Sequence, residues 1–137
     1  MSQTSEMTKP KTGEISWNEL ITTDTKAAGN FYKNLFGWRA EPFVPEGGRT
    51  ADTPDYTLFK LDPNSMGLGG MMQTRHPEMS AEWIPYVAVD DVEASLAKAL
   101  KLGAKACLPV TPIPDVGRIA VIKDPQGAMI GLHECSR

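Results

Sequence analysis

The stretch Ile15–Trp38, ISWNELITTDTKAAGNFYKNLFGW, decides the fold. Ile15 to Thr22 reads as a largely buried strand, and Asp24 offers a carboxylate at the N-cap of a helix. Ala27, Ala28, Phe31, Leu35 and Phe36 recur at helical spacing and predict one apolar stripe. Gly37 stands where a left-handed C-terminal residue is wanted, and Trp38 begins the next extended segment. The pattern then returns at an offset of 66 residues, where Trp17, Asp24, Ala28 and Gly37 have counterparts in Trp83, Asp90, Ala94 and Gly103. A second pairing, offset by 62, sets Asp62-Pro63-Asn64 and Gly69 beside Asp124-Pro125-Gln126 and Gly131. One structural unit is therefore expected twice, with a short indel between the anchors.

Beyond it, Pro45 to Gly48 is a loop, Tyr56 to Leu61 a strand, and Asp62-Pro63-Asn64-Ser65 a turn into a strand over Met66 to Met72. That completes β-α-β-β-β. Gln73 to Ala81 is polar and reads as a linker. From Trp83 the order repeats: a strand to Val89, a cap at Asp90 or Asp91, a helix carrying Val92, Leu96, Ala99 and Leu100, and then Gly103. Segments around Cys107, Arg118 to Lys123 and Met129 to Glu134 supply three more strands. Pro109, Pro112 and Pro114 predict that the first of these is short, bent or at an edge.

The 137 residues suit one domain of ordinary size, whereas a unit of roughly 60 is marginal alone, so the two units should share a core or dimerise. The expected organisation is a loose tail over 1–13 and a single domain over 14–136, built of modules 14–73 and 82–136. The fold class is α+β, with two βαβββ modules forming curled mixed sheets. With 14 basic and 17 acidic residues the net charge is −3, and no basic run interleaves with aromatics, which argues against a nucleic-acid partner. No stretch approaches the roughly 20 apolar residues of a membrane span. The two cysteines, Cys107 and Cys135, make no disulfide framework, so a cytoplasmic setting is the default expectation.

Trp17-Asn18-Glu19-Leu20 through Asp24, Phe31 to Trp38, Val89-Asp90-Asp91-Val92 and Asp124-Pro125-Gln126-Gly127, in this duplicated order, carry a family resemblance over about Glu14 to Glu134. The chain resembles the glyoxalase I/bleomycin-resistance/extradiol-dioxygenase group, the vicinal oxygen chelate superfamily. That resemblance implies an open cup holding a small molecule, often on a divalent metal. Metal-dependent members of the group place His or another ligand on the first strand of each module and Glu on the last. Here the first-strand positions fall on Trp17 and on Ile84, or Trp83 if the repeat sets the register; the last-strand positions fall on Gly69 and Gly131. Indole, aliphatic side chains and glycine donate nothing to a divalent ion, so no metal and no other cofactor is expected. His76, in the linker, and His133 are not spaced as a ligand pair.

If Trp17 points into the cup then so do Glu19 and Ile21, with Leu20 and Thr22 turned to the helix; in the second module Ile84, Tyr86 and Ala88 point inward. Glu19 is the candidate catalytic or ligand-orienting residue, because burial raises a carboxyl pKa toward the range of a general base. An ion pair with a residue such as Arg118 is the alternative reading. Trp17, Ile21, Gly69, Met71, Ile84, Tyr86, Gly131 and His133 are the candidate ligand-binding residues.

Two functional readings follow. One is a glyoxalase/bleomycin-resistance-like protein binding a small hydrophobic or aromatic molecule without the family metal. The other is a metal-independent lyase or isomerase with Glu19 as general base, and Tyr86, His133 or Arg118 stabilising the charge that develops. The expected partners are a small-molecule ligand and a second copy in a homodimer, with no nucleic acid and no membrane.

Overall fold

In a computed structural model of the chain, which describes residues 10–44, 47–48, 51, 55–64, 67–74, 80–113 and 116–136, the local signals of the sequence produce ten elements. They are β1 (Ile15–Thr22), α1 (Thr25–Phe36), β2 (Arg39–Pro42), β3 (Thr57–Lys60), β4 (Gly69–Gln73), β5 (Glu82–Ala88), α2 (Val92–Lys101), β6 (Lys105–Ile113), β7 (Gly117–Lys123) and β8 (Met129–Cys135). The order is βαβββ twice, an α+β fold of two modules.

Asp24 caps α1 by accepting from the Ala27 N–H at 3.0 Å, and Gly37 ends it at φ 79° with its N–H bonded to Lys33 O. Of the two aspartates open to the second cap, Asp91 takes it, accepting from Glu93 and Ala94 N–H. The repeated turns share a hydrogen bond: Asp62 Oδ1 accepts from Asn64 N–H and Asp124 Oδ1 from Gln126 N–H, each at 2.9 Å.

The first module orders its strands β2-β3-β4-β1, with β1 and β4 parallel and the other pairs antiparallel. The second orders them β5-β8-β7-β6, with β5 and β8 parallel. β6 lies at an edge and carries two register shifts, between Ala106 and Leu108 and between Leu108 and Thr111, as its prolines predict, although at nine residues it is not short.

By contacts the chain divides into one unit over 17–84 and another that joins the segment before Trp17 to 85–137. The division departs from the expected boundaries because Thr12 and Gly13, assigned to a loose tail, are tied down: Thr12 Oγ1 donates to Asp90 and Gly13 N–H to Ala88 O. The remainder of that tail, residues 1–9, lies outside the described residues, as do His76 and Met66.

Each unit packs its helix on one sheet face. In the first, Leu20, Phe59 and Met71 form the core under Ala28, Tyr32 and Trp38. In the second, Val92, Ala120 and Leu132 do so, with Val89, Leu96 and Val110 against them. The predicted stripe of α1 is corrected here. Ala28 and Tyr32, one turn apart, meet the sheet, while Phe31 and Leu35 stay 57% exposed and Phe36 56%. No helix among the described residues is long and apolar enough to cross a membrane.

Candidate functional site

Strand alternation places Trp17, Glu19 and Ile21 on the sheet face turned away from α1, because Leu20 between them lies in the core beneath the helix. The same rule turns Leu58 on β3, and Tyr56 just before it, to that face, since Phe59 belongs to the core. Three of these side chains form a hydrogen-bonded chain. Trp17 Nε1–H donates to the Tyr56 hydroxyl at 2.8 Å, and that hydroxyl donates to Glu19 Oε1 at 2.9 Å. Glu19 is 6% exposed, the only buried carboxylate among the described residues. Such a group is costly to bury without donors, and the phenol supplies one.

The aromatic rings need bare backbone beneath them. A Cβ built on Gly70 would stand 2.0 Å from the Tyr56 hydroxyl, and one on Gly67 would stand 2.9 Å from Trp17 Cη2. In the second unit a Cβ on Gly131 would meet Tyr86 Cδ2 at 2.3 Å. Tyr56 over Gly70 and Tyr86 over Gly131 are thus the same device in the two modules. Register agrees: Glu19 pairs with Gly70 and Tyr86 with Gly131.

That register corrects two expectations. The counterpart of Gly131 is Gly70 and not Gly69, because the path from Asp62 to Gly70 is one residue longer than that from Asp124 to Gly131, and a slip of one residue reverses the face. Gly69 instead lies where β4 runs against β1, its Cβ position 2.4 Å from Asn18 O. The same reversal puts Met71, a proposed ligand contact, into the core with Leu20, and leaves Met72, paired with Ile21, on the helix-free face. Trp17 then matches Ile84, resolving the choice between Ile84 and Trp83. Trp83 packs with Tyr32, Trp38 and Phe59 and donates to the Tyr32 hydroxyl at 3.1 Å.

In the second unit Tyr86, Ala88, Gly131 and His133 share the helix-free face, with His133 Nε2–H donating to Val116 O at 2.9 Å. Arg118 finds its partners within its own unit. It binds Glu134 at 2.7 Å and Glu93 at 2.9 Å, and the Glu134 carboxylate, with Glu93 beside it, holds the guanidinium above its usual range. Glu134 also accepts from Val92 N–H at the start of α2, so Arg118 serves that helix N-terminus. Across β2 and β3, Glu41 bridges Lys60 and Arg39, and the Lys60 hydrogen bond keeps its carboxyl below the ordinary value, with Arg39 adding to the effect against partial burial.

Tyr56 is the member of this hydrogen-bonded chain that the sequence analysis did not single out. Its parity with Leu58 against Phe59 was available, but its placement over Gly70 depends on the pairing of β3 with β4.

The family metal does not fit this arrangement. The first-strand positions hold Trp17, whose indole N–H is a donor engaged with Tyr56, and Ile84. At the last-strand positions the space a carboxylate would enter is filled by tyrosine rings. Among the described residues no group of three or more His, Cys, Asp or Glu could hold a metal ion, and both cysteines are free. A cavity of about 760 Å³ lies elsewhere, between α1 and β2, lined by Lys26, Gly29, Asn30, Lys33, Ala40 and Thr57. It is on the helix side of the sheet and includes none of the Trp17–Tyr56–Glu19 chain, so chemistry and concavity do not coincide in this unit.

Comparison with known proteins gives a consistent grouping. The family model described as Glyoxalase/Bleomycin resistance protein/Dioxygenase superfamily matches residues 14–132. CFP32 of Mycobacterium tuberculosis (strain CDC 1551 / Oshkosh), a glyoxylase in name, is 37% identical over 127 residues, 91% of this chain and 47% of its own length. The anthracycline biosynthesis protein DnrV of Streptomyces peucetius is 28% identical over 134 residues, again 47% of its length. The chain therefore spans about half the length of the curated relatives it matches. Among solved structures, methylmalonyl-CoA epimerase from Mycobacterium tuberculosis superposes with a TM-score of 0.58 at 15% identity, covering 89% of this chain and 87% of that one. A Streptomyces coelicolor methylmalonyl-CoA epimerase variant bound to 2-nitronate-propionyl-CoA gives 0.59 at 16% identity, covering 93% and 100%. These likenesses establish the fold.

Proposed function

Because the chain belongs to the glyoxalase/bleomycin resistance protein/dioxygenase superfamily, we propose that it binds a small hydrophobic or aromatic molecule on the helix-free sheet face of its first module, without the family metal. The observation that carries this reading is the Tyr56 hydroxyl, held between Trp17 Nε1 and Glu19 Oε1 with its ring over Gly70. A phenol so fixed presents a rigid ring, and Trp17, Ile21, Leu58 and Met72 are half-buried apolar residues on the same sheet face. Planar ligands gain from such aromatic neighbours without large loss of side-chain freedom. The ligand class is in keeping with the name of the relative from anthracycline biosynthesis. Glu19 in this reading orients Tyr56 and touches no ligand atom.

The test is a fluorescence titration with a hydroxyanthraquinone. Saturable quenching that Trp17→Phe reduces supports the site. No saturable quenching by planar aromatics of any size, with the fold intact, counts against it.

A second reading rests on the burial of Glu19 beside an ionisable phenol, the arrangement from which a base draws a proton through a hydroxyl relay. Glu19 would then serve a metal-independent lyase or isomerase. Turnover by the wild type that Glu19→Gln abolishes, with affinity retained, selects this reading over sequestration.

A further inference from the structure

We infer that the groove between α1 and β2 binds a nucleoside diphosphate, on the helix side of the sheet and apart from the face assigned to an aromatic ligand. The chain carries 17 acidic and 14 basic residues, yet α1 holds no acidic residue at all. Lys26, Asn30 and Lys33 recur at the spacing that puts side chains on one side of a helix, and all three line the groove. With a rise of 1.5 Å per residue, the two lysines stand about 10 Å apart along the axis with an amide between them. Their flexible stems can converge on two neighbouring phosphates, which Asn30 can also serve as a donor.

The charge in this wall is not spent within the molecule. Glu41 is the acidic member of the lining, and it is already bridged to Lys60 at 3.3 Å and Arg39 at 3.4 Å. Among the described residues Lys26 and Lys33 enter no ion pair. The helix N-terminus is not the attraction, because Gln73 Oε1 accepts from Thr25 N–H and Asp24 Oδ1 from Ala27 N–H. Cations set in a concave wall focus their field on an anion, and charge-assisted hydrogen bonds are the strong ones.

The hollow also has the size and the apolar surface that the rest of a nucleotide needs. Its volume is about 760 Å³, within the range of small-molecule sites. A Cβ on Gly29 would stand 3.7 Å from Ala40 Cβ and 3.8 Å from Met71 Cε, which is ordinary contact. Alanine would therefore fit at this position and is the better helix former, so packing does not call for glycine. The bare position keeps the hollow open. Trp38, half-buried, borders the same space and offers an indole on which a planar base can stack.

Isothermal titration of the full chain with ADP at low salt tests the proposal. Saturable binding is expected, weakening as salt is added. Lys26→Gln/Lys33→Gln should weaken it by roughly tenfold or more. Ala40→Leu, at an exposed position, should weaken it by filling the hollow with no change of charge. Lys98→Gln/Lys101→Gln makes the same change of charge in the last turn of α2 and should leave the affinity unaltered. All these side chains lie at the surface, and circular dichroism confirms that each variant folds. An absence of saturable binding, groove variants that bind like the wild type, or an equal loss in the α2 variant would each overturn the proposal. Inorganic triphosphate bound as tightly as ADP would remove the base from the account and overturn the nucleotide. A single-stranded DNA oligonucleotide bound more tightly than ADP would assign the groove to a nucleic-acid backbone instead.

Discussion

Tyr86 lies over Gly131 so closely that a Cβ on that glycine would stand 2.3 Å from the ring's Cδ2 and 2.4 Å from its Cε2. The two residues are register partners across the parallel pair β5 and β8, and Glu19 and Gly70 hold the same relation across β1 and β4. Bare backbone on the last strand of each module is what admits an aromatic ring.

Gly131→Ala should therefore be destabilising by about 1–3 kcal/mol, the range of overpacked cores. Urea denaturation measures it. Tyr86→Leu should recover much of the loss in the double variant, because the conflict is with that ring; purely additive losses would contradict the assignment.

Tyr56→Phe keeps the ring and removes the hydroxyl between Trp17 and Glu19. A buried carboxylate losing a donor is expected to lower stability by about 1–3 kcal/mol. Aromatic-ligand affinity should fall with it, read by the same titration. An unchanged stability would mean that the bridge carries no energy.

Glu19→Gln retains an acceptor for the Tyr56 hydroxyl. Under the sequestration reading ligand affinity changes by no more than a few fold, while a loss of turnover at constant affinity would move the protein to the catalytic reading.

The Glu41 carboxyl is held below its ordinary value of 4.5, first by the Lys60 hydrogen bond. A depressed folded pKa contributes stability that is present above the unfolded value and is lost as pH falls through the folded one. Glu41→Gln should flatten the stability profile below about pH 4.5 and leave the pH 7 to 8 slope unchanged. Melting temperatures across that window check it.

How much of this was legible beforehand depends on the range of the interactions. β1 matches its expected limits, and the Asp24 and Gly37 caps stand where they were read, because strand patterning and capping are decided within a few residues. The equivalence of Gly70 and Gly131 was not legible, since it turns on one extra residue between Asp62 and Gly70 that only strand register reveals. Arg118 was offered to Glu19 by charge alone, yet β7 carries it to Glu134 and Glu93. The exposed side of α1 was hidden for another reason: an apolar stripe states that a helix face seeks cover without saying whether the chain itself provides it.

The most direct test of the central claim, that tyrosines over glycine backbone have replaced the chelating positions, is elemental analysis of the purified protein paired with ligand titration before and after chelation. No stoichiometric zinc, nickel, iron or manganese and an unaltered affinity are predicted. A full equivalent of metal per chain whose removal abolishes binding would contradict the account.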